Sequence, residues 1–342
     1  PARPRAAAPT TASPSPTVPA ATAAGTRGAG PLHGVPLQGP TGLRLLVADV
    51  PAPFVLDVDR GTTQPITGLP PDGDRGIGLL PLGEDALVLS YPLCDHCRPA
   101  PGVYLVRRGA TAAAQLGTDL QVAAARDGQG VWVLGRRDPS HCTIGEVGLD
   151  GRRRAARPVP CATELVAELP AGLLVSYAAA GGSDPSSAVL KPDGGRMRLR
   201  GPRPQPVVGD LVLSGANPSV PLVLTDVGSG VSRRLSWPSR PDYSLGEVTA
   251  DPSGRLAVVE FANAAQQRLD LWLLDTATRR WRHLPEMPAP LSPKATHVQW
   301  TADGRVVLLA RAEIAVWRPG EPRFAVRQVK PPKQPDRRFV LW

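Results

Sequence analysis

From residue 42 onward the chain is a series of short apolar runs separated by tight turn signals, and this spacing constrains the fold more than any other feature. The runs lie at 43–47, 54–58, 86–90, 103–106, 131–134, 173–177, 221–225, 256–261, 269–274, 306–310 and 314–317. Each has strand length and is rich in Val, Leu and Ile. Between them stand Asp127-Gly128, Asp150-Gly151, Asp193-Gly194, Ser253-Gly254 and Asp303-Gly304. Asp-Gly is a strong hairpin signal, and the turn it predicts is type I′, with φ above zero at both central residues. No stretch of ten residues keeps a 3.6-residue period free of Gly and Pro. With 41 Pro and 35 Gly, a helical bundle or coiled coil is excluded. No apolar run approaches the roughly 18–20 residues that a membrane-spanning helix needs.

The strands group with a period of roughly 40 residues, which calls for a repeat reading. The clearest unit runs from Tyr243 to Pro285, and a second runs from Thr296 to Lys330. Both read as strand–turn–strand–loop–strand–turn–strand. Four-stranded units at this spacing are blades of a β-propeller. The expected fold is therefore all-β, with seven four-stranded blades at 42–70, 74–118, 119–160, 161–201, 206–240, 243–285 and 296–330. Six blades is the first alternative and a pair of β-sandwiches the second. The first unit is one strand short, and either Phe339-Val340-Leu341-Trp342 or a segment near 36–43 is expected to complete it and close the ring. Closure matters because it removes exposed sheet edges.

Certain turns carry a family resemblance. Ala250-Asp251-Pro252-Ser253-Gly254-Arg255 and Thr301-Ala302-Asp303-Gly304-Arg305 resemble the a–b hairpins of WD40- and TolB-like propellers. Leu56-Asp57-Val58-Asp59-Arg60-Gly61 and Leu274-Asp275-Thr276-Ala277-Thr278 resemble the turn between the third and fourth strands of such blades. The resemblance implies the architecture and no particular chemistry, since such propellers include scaffolds, receptors, hydrolases and lyases.

Residues 1–31 contain 22 Pro, Ala or Thr and no aromatic residue. Such a composition cannot bury enough apolar surface to offset chain entropy. Residues 1–35 are expected to be a disordered linker and 36–342 the propeller domain. A linker of this kind suits a chain exported behind a signal peptide or a membrane anchor that lies upstream. The 35 Arg against 4 Lys and the Ala/Pro bias fit a high-GC genome of actinobacterial type. The expected location is extracytoplasmic, secreted or membrane-anchored at the cell surface, and the expected state is a monomer.

The four cysteines fit that compartment. With strands lettered a to d from the channel outward, Cys94 and Cys97 lie in a b–c loop, Cys142 ends the next one, and Cys161 leaves the third unit. An even count predicts two disulfides, Cys94–Cys97 and Cys142–Cys161. Zinc, held by Cys94 and Cys97 with either Cys142 and Cys161 or His96 and His141 as further ligands, and redox chemistry are the alternatives. No bound metal and no cofactor is expected. In a propeller the b–c and d–a connections emerge on one face, and the b–c connections here are the longer and more varied ones. That face is the expected binding face, with Tyr91, Asp95, His96, Asp138, His141, Asp184, Asn217 and Asn263 as candidates.

The formal net charge is +9, but residues 1–31 and 330–342 carry +3 each, leaving +3 for 32–329. Such a balance argues against a nucleic-acid partner. No nucleophile elbow, P-loop, zincin or dinucleotide motif is present, and no residue is assigned as catalytic. Asp57-Val58-Asp59-Arg60-Gly61 hints at a calcium loop but lacks the downstream carboxylate, so turn chemistry explains it better. The expected function is a non-catalytic module binding a protein or cell-surface polymer. An extracellular hydrolase or lyase with carboxylates at the loop face, and a sensor domain of a membrane-anchored regulator, are the alternatives.

Overall fold

A computed structural model of the 342-residue chain describes residues 32–49, 52–70, 75–92, 102–118, 121–138, 141–154, 156–177, 186–290, 296–310, 312–329 and 338–342. The described elements are all strands. After β1 (Val35–Pro36) come β2 (Arg44–Val47), β3 (Phe54–Asp57) and β4 (Thr62–Pro65) of blade 1. Blade 2 holds β5 (Arg75–Leu82), β6 (Asp85–Pro92), β7 (Gly102–Val106) and β8 (Ala113–Gly117). Blade 3 holds β9 (Val122–Ala124), β10 (Gly130–Asp138), β11 (His141–Gly148) and β12 (Arg157–Val159). Blade 4 holds β13 (Thr163–Leu169), β14 (Gly172–Tyr177), β15 (Ser186–Leu190) and β16 (Arg196–Leu199). Blade 5 holds β17 (Gln205–Val208), β18 (Leu211–Ser214), β19 (Leu222–Asp226) and β20 (Val231–Leu235). Blade 6 holds β21 (Ser244–Ala250), β22 (Leu256–Asn263), β23 (Arg268–Asp275) and β24 (Trp281–His283). Blade 7 holds β25 (Thr296–Trp300), β26 (Val306–Ala310), β27 (Glu313–Trp317) and β28 (Ala325–Gln328), and the last strand is β29 (Phe339–Leu341).

The seven sheets form the seven-bladed propeller that the repeat spacing predicts. Between the two closures open to the sequence, the C-terminal one is realised. β29 pairs antiparallel with β2 and becomes the innermost strand of blade 1, so the two ends of the chain share one sheet. β1 adds in parallel to the outer edge of blade 7, where Val35 faces Ala325. Leu32, just before it, is buried against blades 6 and 7.

Strand chemistry follows position in the blade. Middle strands such as β26 and β27 are buried on both faces and read as continuous apolar runs. Outermost strands such as β4 and β20 are exposed over nearly their whole length and are polar. Seven apolar clusters result, one at each junction between neighbouring blades, and blades 7 and 1 share one made from both ends of the chain. Trp300 and Trp317 are buried in the core between blades 6 and 7, and Trp272 and Trp281 pack against the core between blades 5 and 6. Their clustering in the sequence is therefore a packing signal.

The Asp-Gly hairpins are present, but the turn type differs from the sequence expectation. Positive φ occurs at Gly128, Gly151, Gly194, Gly254 and Gly304, while none of the residues before them has it. In the turn at 251–254 the Gly254 N–H donates to the Asp251 carbonyl, and Asp251 Oδ1 accepts the Leu256 N–H at 2.7 Å. The acidic or hydroxyl side chain caps a type I-like turn, and the glycine takes the left-handed position after it.

Candidate binding face and the acid pair of the central channel

Because neighbouring strands within each blade are antiparallel, b–c and d–a connections leave the ring on one face and a–b and c–d turns on the other. On the first face the links span two to nine residues (b–c) and three to twelve (d–a). On the second they span two to five (a–b) and four to eight (c–d).

The expected binding residues take different positions on that first face. Tyr91 closes β6 opposite Gly76 and is 46% exposed. A Cβ on Gly76 would come within 2.1 Å of the Tyr91 ring, so the ring lies directly over this glycine of the innermost strand. In blade 3 the b–c link is shorter than the sequence suggests, because β10 and β11 stay paired as far as Asp138 and His141. His141 is exposed beside this two-residue turn. Asn217 is exposed, and its Oδ1 accepts the Ser219 N–H at 3.0 Å, which makes it part of its own turn. Asn263 is buried. Its Nδ2 donates to Asp242 at 2.7 Å and its Oδ1 accepts the Gln266 N–H at 2.9 Å, tying the blade 6 turn to the connection from blade 5. Asp95, His96, Asp184 and the Cys94–Cys97 pair lie outside the described residues.

Cys142 and Cys161 form the expected disulfide, with Cα atoms 5.0 Å apart. Cys142 sits in β11 and Cys161 in the link to β13, so the bridge fastens blade 3 to the entry of blade 4. Both are part of the cluster between those blades.

Three features escape a linear reading of the sequence. The first lies at the channel wall. A bulge between Leu245 and Val248 places Gly246 and Glu247 of the innermost strand against Glu260 of β22. A Cβ on Gly246 would lie 3.1 Å from the Glu260 Cβ, so glycine allows this close approach. Glu260 is 5% exposed. Burial pushes its carboxyl well above the usual range and the Glu247 carboxylate adds to this, while Arg338 and the Glu247 N–H oppose it. Arg338 Nη2 reaches Glu247 Oε1 at 2.7 Å. Arg338 directly precedes β29, so this ion pair links blade 1 to blade 6 past the inner strand of blade 7, on the side where the d–a connections enter.

The second feature is a hub around Asp270. This buried carboxylate accepts from Ser239 Oγ at 2.6 Å and Trp272 Nε1 at 2.9 Å, and it lies 2.6 Å from His283 Nε2. The Trp272 and His283 rings stack at 4.4 Å. Ser, His and Asp are all present, but the carboxylate holds the serine hydroxyl. A hydrolytic triad requires the imidazole in that place. No cluster of three or more metal-ligating side chains occurs among the described residues. The third feature is the location of three hollows among the described residues. One of about 480 Å³ at the blade 1 turn, and two of about 440 and 410 Å³ sharing Glu168 between blades 3 and 4, open on the a–b and c–d side.

No protein-family profile matches the chain, and no curated protein matches it. Many solved structures are similar to it. The periplasmic gluconolactonase PpgL of Pseudomonas aeruginosa aligns at 13% identity and a TM-score of 0.56, over 87% of this chain and 99% of that one. Prolyl oligopeptidase B of Galerina marginata aligns at 12% identity and 0.56, over 84% of this chain and 48% of that one. TolB of Acinetobacter baumannii aligns at 15% identity and 0.46, over 74% of this chain and 66% of that one. The chain thus spans about half of the oligopeptidase and about two thirds of TolB. The gluconolactonase and the oligopeptidase show a shared fold, the β-propeller implied by the hairpin motifs.

Proposed function

We propose that the protein is an extracytoplasmic propeller that holds a protein or polymer partner on the face built by its b–c and d–a connections. The observation that carries this reading is the variation in link length on that face, where the exposed Tyr91 ring also lies. Variable loops and an exposed aromatic on a rigid ring are what a recognition surface requires. A binding role is supported by the way the polar side chains there are used: Asn217 and Asn263 brace turns, and Asp270 braces the Ser239 and His283 side chains. The Cys142–Cys161 bridge supports an oxidising compartment.

A photo-reactive amino acid placed at Tyr91 or Asn217 in the producing cell tests this reading. Adducts are expected from these two positions and not from Arg108 or Ala277, which lie on the opposite turns. Equal adducts from both faces would contradict it.

A second reading, an enzyme acting on an extracellular polymer, is favoured by one observation. A carboxyl whose pKa burial and a neighbouring carboxylate push well above the usual range, at a channel wall, is a candidate general acid. Turnover of a polymer substrate that Glu260→Gln abolishes would establish it.

A further inference from the structure

The junctions between blades are not equally filled. Between blades 2 and 3, Val103, Val131 and Val147 close the gap to a void of about 50 Å³. Between blades 3 and 4, the two hollows of about 440 and 410 Å³ share Glu168 and run together as one cleft. Each lies within the roughly 300–1,000 Å³ of small-ligand sites. Strand register places both walls. Trp132 pairs with Glu146 across β10 and β11, and Ile144 pairs with Arg157 across β11 and β12, so these four side chains share the blade 3 wall. Leu173 pairs with Glu168 on one side and Leu190 on the other, and these three form the blade 4 wall.

The floor of this cleft is apolar and its rim is charged. Ile144, Leu173 and Leu190 are buried, and the partly exposed Trp132 ring lies beside them. Trp132 Nε1 is buried without a hydrogen-bond partner. A buried donor left without an acceptor is costly, and Phe or Leu would fill the junction without that cost, so packing alone does not account for an indole here. The guanidiniums of Arg126, Arg154 and Arg157 stand with the carboxylates of Asp127, Glu146 and Glu168, and the cleft carries no net formal charge. These groups are already held in place. Arg154 Nη1 reaches Glu146 Oε1 at 2.7 Å, Glu168 accepts the Arg126 N–H at 2.7 Å, and Arg157 donates to the Leu190 and Lys191 carbonyls. A guanidinium has five donors and a carboxylate about four acceptor sites, so both kinds of group remain open on the rim. An anion or a cation entering the cleft would meet like charge as well as opposite charge. A neutral polyhydroxyl ligand instead donates to the carboxylates, accepts from the guanidiniums and lays its C–H face on the indole.

We propose that the cleft between blades 3 and 4 binds a neutral oligosaccharide, with a sugar ring on Trp132 and hydroxyls on Glu146, Glu168 and the arginines of the rim. The cleft opens on the a–b and c–d side, away from the Tyr91 ring, so this proposal stands or falls separately from the loop-face reading.

The test is calorimetric titration of the full chain with the neutral tetrasaccharides of glucose, mannose, xylose and N-acetylglucosamine. At least one is expected to bind with a Kd of about 1 mM or tighter. Trp132→Ala is expected to weaken that binding at least about tenfold and Glu168→Gln about fivefold, while Glu84→Gln, at an exposed turn of blade 2, stays within about twofold of the parent. Glu168→Gln keeps an acceptor for the Arg126 N–H, so it decides the outcome if Trp132→Ala fails to fold. The proposal is overturned if no tetrasaccharide binds, or if a folded Trp132→Ala or Glu168→Gln variant binds as tightly as the parent. It is also overturned if trigalacturonate or spermidine binds more tightly than the neutral sugars.

Discussion

Asp59 accepts hydrogen bonds from the N–H groups of Thr41 and Gly42, from the Thr41 hydroxyl and from Arg327, which also donates to the carbonyls of Leu37 and Gly39. Burial alone would raise its pKa, but these donors hold it at about 2. A carboxylate depressed in this way stabilises the fold above its unfolded value near 4, and that stability is lost as pH falls through about 2. Asp59→Asn is expected to cost about 1–2 kcal/mol at neutral pH after allowance for solvent screening, and progressively less as pH falls from about 4 through about 2, as read by denaturant titration. Glu260 has the opposite sign. Its folded pKa is raised, so stability falls as pH rises from the unfolded value through the folded one. Glu260→Gln keeps the acceptor for the Glu247 N–H without the buried charge. It is expected to unfold at a higher temperature than the parent at pH 8 and at the same temperature near pH 4. Equal melting of the two proteins at both values would count against a raised carboxyl. The sequence shows Asp57 and Asp59 as turn residues, and Asp57 Oδ1 does accept the Arg60 N–H at 3.0 Å. The grip of Asp59 on residues 41–42 and Arg327 joins positions hundreds of residues apart, which no local pattern encodes.

Blades were readable at the level of elements because each hairpin is local. The apolar runs give the strands, and Asp-Gly and Ser-Gly mark their turns. The Cys142–Cys161 bridge was readable for the same reason, since its partners lie 19 positions apart across one outer strand. Reduction, or Cys161→Ser, is expected to lower stability by about 3 kcal/mol through release of that loop, measured by thermal melts with and without reductant. The strand ends were less legible. Arg136, Arg137 and Asp138 lack apolar character, yet they extend β10, and the ladder of β22 and β23 continues to Asn263 and Arg268. The acid pair was invisible because it depends on a bulge at Gly246–Glu247 and on an Arg from the far end of the chain. At Gly172, φ is 139° and a Cβ would lie 2.3 Å from the Leu190 carbonyl oxygen. Gly172→Ala is therefore expected to destabilise blade 4 by about 2 kcal/mol or more, through strain and steric clash.

At the scale of the whole molecule, seven junction cores make each blade depend on both of its neighbours. Closure of the ring is what keeps blades 1 and 7 from ending in bare edges. Blade 1 is completed by β29, whose Phe339 and Val340 enter the cores on its two sides. Arg338, beside that strand, reaches the channel wall of blade 6, so closure also shapes the mouth on the loop face. Hydrogen exchange on the full chain and on a chain ending at Arg338 tests this account most directly. Removal of β29 is expected to cost Leu45, Leu46 and Val47 at least about tenfold in protection, while the strands of blades 3 to 5 keep most of theirs. Unchanged protection at Leu45–Val47 would contradict ring closure by the C-terminal strand.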